Sequence, residues 1–356
     1  MNTATLILLA LYEETAPKAN FLSSTFAMTP RSVHNSGKVT FDIIRGGEKV
    51  APVVTSIEDG YIKVSLDKAT NKEVTPPIFK LKFPINLMNT QAREPGSSPF
   101  DTPNEMKNAL SKFVAGMLNV TEQIERNLEL QAAQIYQTGK IALWDENGKI
   151  AFAIDFAPKA SHFPTAAVAW GSGSDKKTQD INTLAKAIRK DAKARADVLL
   201  FGEKAWEAWI SDAHVLELLK KNQYDAGRFE PKMNMDSGTY QGYIFINNYR
   251  YEMWTYDGVY EDSNSTLKSY IDDGNVVVMA SNARREKSFG MIPKVVADDP
   301  RLSSFVTGNI TANGLAITTG ATIDQDNENV FGKAGTRPIL LPIAIDAHAC
   351  LKTGIQ

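Results

Sequence analysis

The chain has 356 residues, which is long for one hydrophobic core and suits two, and its 43% hydrophobic and 22% charged residues are ordinary for a globular protein. A formal net charge of -2 excludes a dedicated nucleic-acid binder, because neutralising phosphates takes a surplus of Lys and Arg. Cys350 is the single cysteine, which excludes an internal disulfide and a cysteine-rich metal site and fits a reducing compartment.

Leu6 to Leu11 is the longest apolar run near the start. It is too short for a membrane span, and no Lys or Arg precedes it as in a signal peptide. It reads as part of a short helix, Ala4 to Glu14, and points to a soluble, unexported protein. Residues 1–37 form an arm with too few apolar residues for a core of its own. Phe21, Leu22 and Phe26 still require burial, on their own chain or on a neighbour.

Residues 38–90 read as strands. Val39, Phe41 and Ile43 share one face of Lys38 to Ile44. Arg45-Gly46-Gly47-Glu48 is a turn signal. Tyr61 to Leu66 and Ile78 to Phe83 follow, and in the second run Phe79, Leu81 and Phe83 share a face. A long ribbon with few internal partners is marginal alone and needs something to lie on. Gly46 to Leu81 is therefore expected to be dispensable for folding.

A linker over 91–101 leads to a long helix. Thr102 suits the N-cap, Pro103 the first helical position, and Glu105 completes a capping box. Met106, Leu110, Phe113, Met117, Ile124, Leu128 and Ile135 recur near helical period, and Gly139 is a natural stop. That gives about 55 Å of helix at the standard rise. Gly116 marks either a bend or a small contact. Ile141 to Trp144 and Ile150 to Ile154 form a hairpin around Asp145-Glu146-Asn147-Gly148.

Trp170 to Lys177 is a loop, and a helix runs from about Gln179 to Ala196. Val198 to Phe201 is a buried strand, and a helix follows from Gly202 to about Lys221. Tyr243 to Asn247 and Tyr251 to Tyr256 form a hairpin, Asn275 to Ala280 is a buried strand, and Arg337 to Leu351 closes the chain with an apolar return.

The residues offer little chemistry. His34, His162, His214 and His348 are scattered, none with a second His or Cys at ligand spacing. Gly171-Ser172-Gly173-Ser174 lacks the Gly-Lys-Ser/Thr ending of a phosphate loop. Asp272-Asp273 and Asp298-Asp299 are too few oxygens for a calcium site. The basic run Lys186 to Arg195 reads as a solvated helix face rather than a contact to DNA. No catalytic, cofactor-binding or metal-binding residue is expected.

The order of elements resembles the lambda-type capsid proteins, the phage major capsid protein E family. FLSSTF followed by VTFDIIRGG carries the likeness, as do ELQAAQIYQTGKIAL (Glu129 to Leu143) and VLLFGEKAWEAWISDAHVLELL (Val198 to Leu219). The longest block is YRYEMWTYDGVYEDSNSTLKSYIDDGNVVVMAS (Tyr249 to Ser281), and RPILLP at Arg337 to Pro342 fits the closing strand. The resemblance implies an α+β fold named after the Hong Kong 97 phage. Its parts would be an N-terminal arm (1–37), an extended β-hairpin loop (38–90) and a peripheral domain (91–196) with a spine helix over 102–139. An axial domain (197–336) and a C-terminal return (337–356) would complete it.

The function it implies is a major head subunit, without enzymatic activity or cofactor, that assembles with itself into hexamers and pentamers. Scaffold, portal and decoration proteins would be partners. Packaged double-stranded DNA would be touched weakly and without sequence specificity, and no membrane would be involved. The site would be the virion shell, built in the cytoplasm of a host bacterium. Phe21, Phe26, Arg45, Lys49, Phe79 and Phe83 are the candidate subunit-interface residues. An α+β enzyme or binding protein and another virion part, such as a tail-tube subunit, are the competing classes. The long helix speaks against the tail tube.

Overall fold

The structure is a computed structural model that describes residues 21–44, 69–85, 105–145, 147–173, 176–220, 227–233, 238–247, 249–262, 265–291, 308–312, 315–324 and 329–355. Helix α1 is a single turn, Phe21–Ser24. Strands β1 (Val39–Ile44), β2 (Ala69–Val74) and β3 (Phe79–Ile85) precede the long helix α2, Glu105–Thr138. Strands β4 (Lys140–Trp144) and β5 (Ile150–Asp155) pair as a hairpin. Then come α3 (Lys177–Asp191), β6 (Val198–Phe201), α4 (Glu203–Ile210) and α5 (Ala213–Lys220). Strands β7 (Gly227–Met233), β8 (Gly238–Ile246) and β9 (Tyr249–Tyr256) lead to a small ribbon, β10 (Val259–Glu261) and β11 (Leu267–Ser269). The chain ends with β12 (Asn275–Met279), β13 (Glu286–Phe289), β14 (Gly308–Ala312), β15 (Leu315–Asp324), β16 (Asn329–Thr336), β17 (Pro338–Leu341) and β18 (His348–Lys352).

Two compact units divide the chain, with the boundary inside α2. One gathers Met1–Val39, Val74–Glu129 and Glu286–Leu340, and the other gathers Thr40–Glu73, Leu130–Arg285 and Leu341–Gln356.

The second unit is built on a six-stranded sheet in the order β18-β12-β6-β9-β8-β7. Its β6–β9 pair is parallel and the other pairs are antiparallel. On one face Leu199, Phe201, Ile244, Tyr251, Met253, Val276 and Val278 pack under α3, α4 and α5 with Trp170 and Trp209. This alternation of strand side chains against a helical stripe is what closes an α+β core. The opposite face carries a cross-strand row, Cys350, Val277, Leu200, Trp254 and Tyr240. The first three are fully buried. Trp254 and Tyr240 are half-buried, with their rings 5.1 Å apart.

Several local signals act as the sequence suggests. Gly139 stops α2 at φ +68, and its N–H donates to the Ile135 carbonyl at 2.8 Å. A Cβ there would also lie 2.3 Å from Pro158. In the β4–β5 turn Asp145 Oδ1 accepts the N–H groups of Asn147 and Lys149, both at 2.9 Å, and Gly148 takes φ +72. The helix expected over 202–221 is instead two, because Asp212 caps the second. Its Oδ1 accepts the N–H of His214 at 2.7 Å and of Val215 at 3.2 Å. The helix expected to reach Ala196 ends at Asp191, and Lys193 at φ +58 turns the chain away.

The first unit holds a four-stranded antiparallel sheet, β14-β15-β16-β3. The Phe79 strand thus finds a backbone partner within its own chain, β16, with Phe79 opposite Thr336 and Phe83 opposite Gly332. A deletion from Gly46 to Leu81 would remove β2 and the first three residues of β3 together with their pairing to β16. Tyr61 to Leu66, the expected partner run, lies outside the described residues, as do Ala4 to Glu14 and the 91–101 linker. β13 pairs with β17, and the arm runs beside β13 through parallel bridges Ala27–Glu286 and Val33–Phe289.

Candidate functional site

Among the described residues, the groups that the sequence singles out are used structurally. Among the described residues no cluster of three or more His, Cys, Asp or Glu is placed to hold a metal ion, and no helix is long and apolar enough to cross a membrane. Cys350 is buried, and burial pushes its thiol up to about 12, which removes the thiolate needed for nucleophilic chemistry.

His348 is buried beneath α2. Its Nε2 donates to the Ile135 carbonyl at 3.0 Å. Burial, with the Arg285 charge adding to it, pushes the ring down to about 3, so it stays neutral at physiological pH. His162 sets Nδ1 3.0 Å from the His348 carbonyl and Nε2 3.1 Å from Asp191 Oδ2. Burial opposes the ionisation of Asp191, yet hydrogen bonds from Lys159 and His162 hold its carboxyl below the usual range. These groups fasten α3 and β18. His34 donates its backbone N–H to the Phe289 carbonyl at 2.8 Å. The exposed His214 sits at the start of α5.

The acidic pair Asp272-Asp273 is structural rather than a simple solvated loop. Gln137 on α2 donates to the Tyr270 carbonyl at 2.8 Å and accepts from the Asp272 N–H at 2.9 Å and Asn275 Nδ2 at 2.8 Å. The Asp273 carbonyl accepts the Ala205 N–H at 2.8 Å, which satisfies one orphan donor in the first turn of α4. Gly202 permits this approach, since a Cβ there would lie 2.4 Å from the Asp272 carbonyl. The sequence Tyr270 to Asn275 is therefore a fixed wedge between α2 and α4. Asp298-Asp299 lies outside the described residues. Gly171 and Gly173 take positive φ in an exposed turn.

The basic run serves its own helix. Lys186, Arg189 and Lys190 are exposed. Arg189 Nη1 donates to the Lys193 carbonyl at 3.1 Å, Lys193 Nζ to the Lys190 carbonyl at 2.7 Å, and Arg195 stacks 5.1 Å from the Tyr249 ring. Cations at a helix C-terminus offset its dipole.

The candidate interface residues fall into three groups. Arg45 and Lys49 lie outside the described residues. Phe21 and Phe79 are half-buried. Phe26 is 2% exposed, and the half-buried Phe83 stands 5.7 Å from the Phe113 ring, so both have found partners in their own chain.

Sequence reasoning passed over the buried charges of the first unit: Glu125, Glu129, Lys287 and Arg337. Arg337 donates to the Met291 carbonyl at 3.2 Å and the Pro76 carbonyl at 3.3 Å, clasping the ends of three segments with Gly37 against its guanidinium. The available signal was position. Glu125 and Glu129 follow Ile124 and Leu128 on the apolar stripe of α2, where a charge has to be matched from another element.

Three comparisons bear on the assembled picture. The chain is 24% identical to the major capsid protein of Escherichia phage N15 over 257 residues, which is 72% of this chain and 74% of that one. Its fold is similar to the crystal structure of a protein of Escherichia coli CFT073 described as a prophage capsid protein, with a TM-score of 0.66, 17% identity and 99% of both chains covered. Residues 5–352 match the family described as phage major capsid protein E, and by that near-complete match the chain belongs to it.

Proposed function

We propose that this chain is the major head subunit of a tailed bacteriophage, assembling into hexamers and pentamers of an icosahedral shell that encloses double-stranded DNA. The observation that carries the proposal is the family match over residues 5–352. A family of capsid structural proteins implies a subunit that works without catalysis, and the burial of Cys350 and His348 agrees with that role.

In this reading the fold is of the Hong Kong 97 type. The long helix α2 is the spine of a peripheral domain (91–196), residues 197–336 form an axial domain, and 337–356 return to the periphery. The arm (1–37) and the extended loop (38–90) overlap neighbouring copies. Phe21, Arg45, Lys49 and Phe79 are the proposed contact residues, with Phe26 and Phe83 anchoring the same limbs to their own chain. Area removed from water at each overlap contributes roughly 25 cal/mol per Å², and closure multiplies modest contacts into a stable shell. Assembly takes place in the bacterial cytoplasm with scaffold, portal and decoration proteins as further partners.

Electron microscopy of the purified protein, alone and co-expressed with a scaffold protein, tests the proposal. Closed shells are the expected result. A monodisperse monomer that persists under every such condition would falsify it.

A further inference from the structure

The arm is held to the body of its own unit by a buried carboxylate. Glu129 is fully buried, and its two oxygens accept the N–H groups of Leu22 and Ser23 at 2.7 and 2.8 Å. Charge-assisted bonds of this kind are about twice as strong as neutral ones. Leu22 and Phe26 sink beside it. Downstream the arm runs along β13. The Lys287 N–H donates to the Ala27 carbonyl at 2.9 Å, the Phe289 N–H to the Ser32 carbonyl at 2.7 Å, and Ser32 Oγ to Glu286 at 3.1 Å.

Further buried ionisable groups lie at the attachment point. Glu125 lies one turn before Glu129 and is 6% exposed, and Lys287 on β13 is 4% exposed. Among the described residues, two buried acids thus act on one buried base. A buried region tolerates balanced charge and resists an excess of either sign. Burial pushes Glu125 up to about 8, against the pull of Lys287 and with Glu122 and Glu129 adding to the rise. Lys287 in turn is pulled below its usual range by burial, against the opposing charges of Glu125 and Glu129. At neutral pH Glu125 thus keeps its proton.

We propose that residues 21–36 form a releasable strap whose lock is the buried Glu125–Glu129–Lys287 cluster, and that loss of the Glu125 proton opens it. A second carboxylate charge beside Glu129 would set two buried anions one helical turn apart. Admitting water relieves them, and that means lifting the Phe21–Phe26 turn whose N–H groups Glu129 holds. The groups acting on Glu125 are Glu122 and Glu129 from its own helix and Lys287 from β13. The turn itself, Phe-Leu-Ser-Ser-Thr-Phe, carries no titratable side chain. The device sits within one chain and does not depend on how copies assemble.

Hydrogen–deuterium exchange of the full-length protein decides the matter, at pH 6 and pH 9 in the same assembly state. Protection of residues 21–26 is corrected for the intrinsic rate of exchange. Glu125 gives up its proton near 8 when closed in and near its ordinary value of 4.5 when exposed, so opening grows easier up to about pH 8 and levels off above, and a loss of protection on the order of a hundredfold between pH 6 and pH 9 is expected in the wild type. Glu125→Gln is expected to keep its protection at both pH values. At a fixed pH of 8.5, trypsin should cut after the exposed Arg31 faster in the wild type than in E125Q. Equal wild-type protection at the two pH values, or the same loss in E125Q, overturns the proposal. The wild-type profile alone suffices should the variant fold poorly.

Discussion

Phe83 stands between two glycines that come from different elements. A Cβ on Gly116 of α2 would lie 2.3 Å from the Phe83 ring, and one on Gly332 of β16 would lie 2.2 Å from it. An alanine in mid-helix ordinarily stabilises by about 1 kcal/mol over glycine. Overpacking a filled site costs about 1–3 kcal/mol. The ring cannot escape one glycine without approaching the other, so the steric effect wins. Gly116→Ala is expected to lower the denaturant midpoint, and Phe83→Leu in the same chain to restore most of the loss. A Gly116→Ala protein more stable than the wild type would show that the ring is not wedged. The glycine itself was legible in the sequence as a bend or a small contact. Its partner was not, because nothing local ties residue 116 to residues 83 and 332.

Elements with strong local patterns were readable in advance. The α2 stripe, the Gly139 stop and the Asp145 to Gly148 turn are set by residues within a few positions of one another. The 211–212 break was missed because the apolar period continues across it while the Asp212 side chain interrupts the backbone. The β3–β16 pairing was missed because strand partners distant in sequence leave no periodic trace. That pairing relocates the test of the extended loop. Removing residues 45–68 and joining Ile44 to Ala69 by a short flexible linker leaves β1, β2 and β3 in place. Loop closure entropy grows slowly with length, so the shortened chain should fold with a melting temperature near that of the wild type. Its expected phenotype is a soluble subunit that forms no shells in the electron microscope. Shells at wild-type yield would show that the removed segment makes no necessary contact between copies.

At the scale of the whole molecule, the balance of charge indicates what drives assembly. The chain carries 39 basic and 41 acidic residues, and the basic run at the end of α3 is used to cap its own helix. Large apolar side chains stay on the surface meanwhile. Leu267 is 68% exposed, and Ile150 at 63% faces Trp144 at 48% across the β4–β5 hairpin. Copies that associate through such surfaces need no polyanion between them. A protein that made six or more phosphate contacts would lose roughly a thousandfold in affinity between 50 and 200 mM salt, through displaced counterions. Apolar association changes little over that range, and the weak repulsion between chains of net charge -2 is screened as salt rises. Nuclease-treated subunits, with scaffold protein where it is needed, should therefore form shells in similar yield at both salt concentrations, as counted by sedimentation and microscopy. Assembly that required added DNA, or that collapsed at 200 mM salt, would make nucleic acid the glue and remove the apolar surfaces from that role.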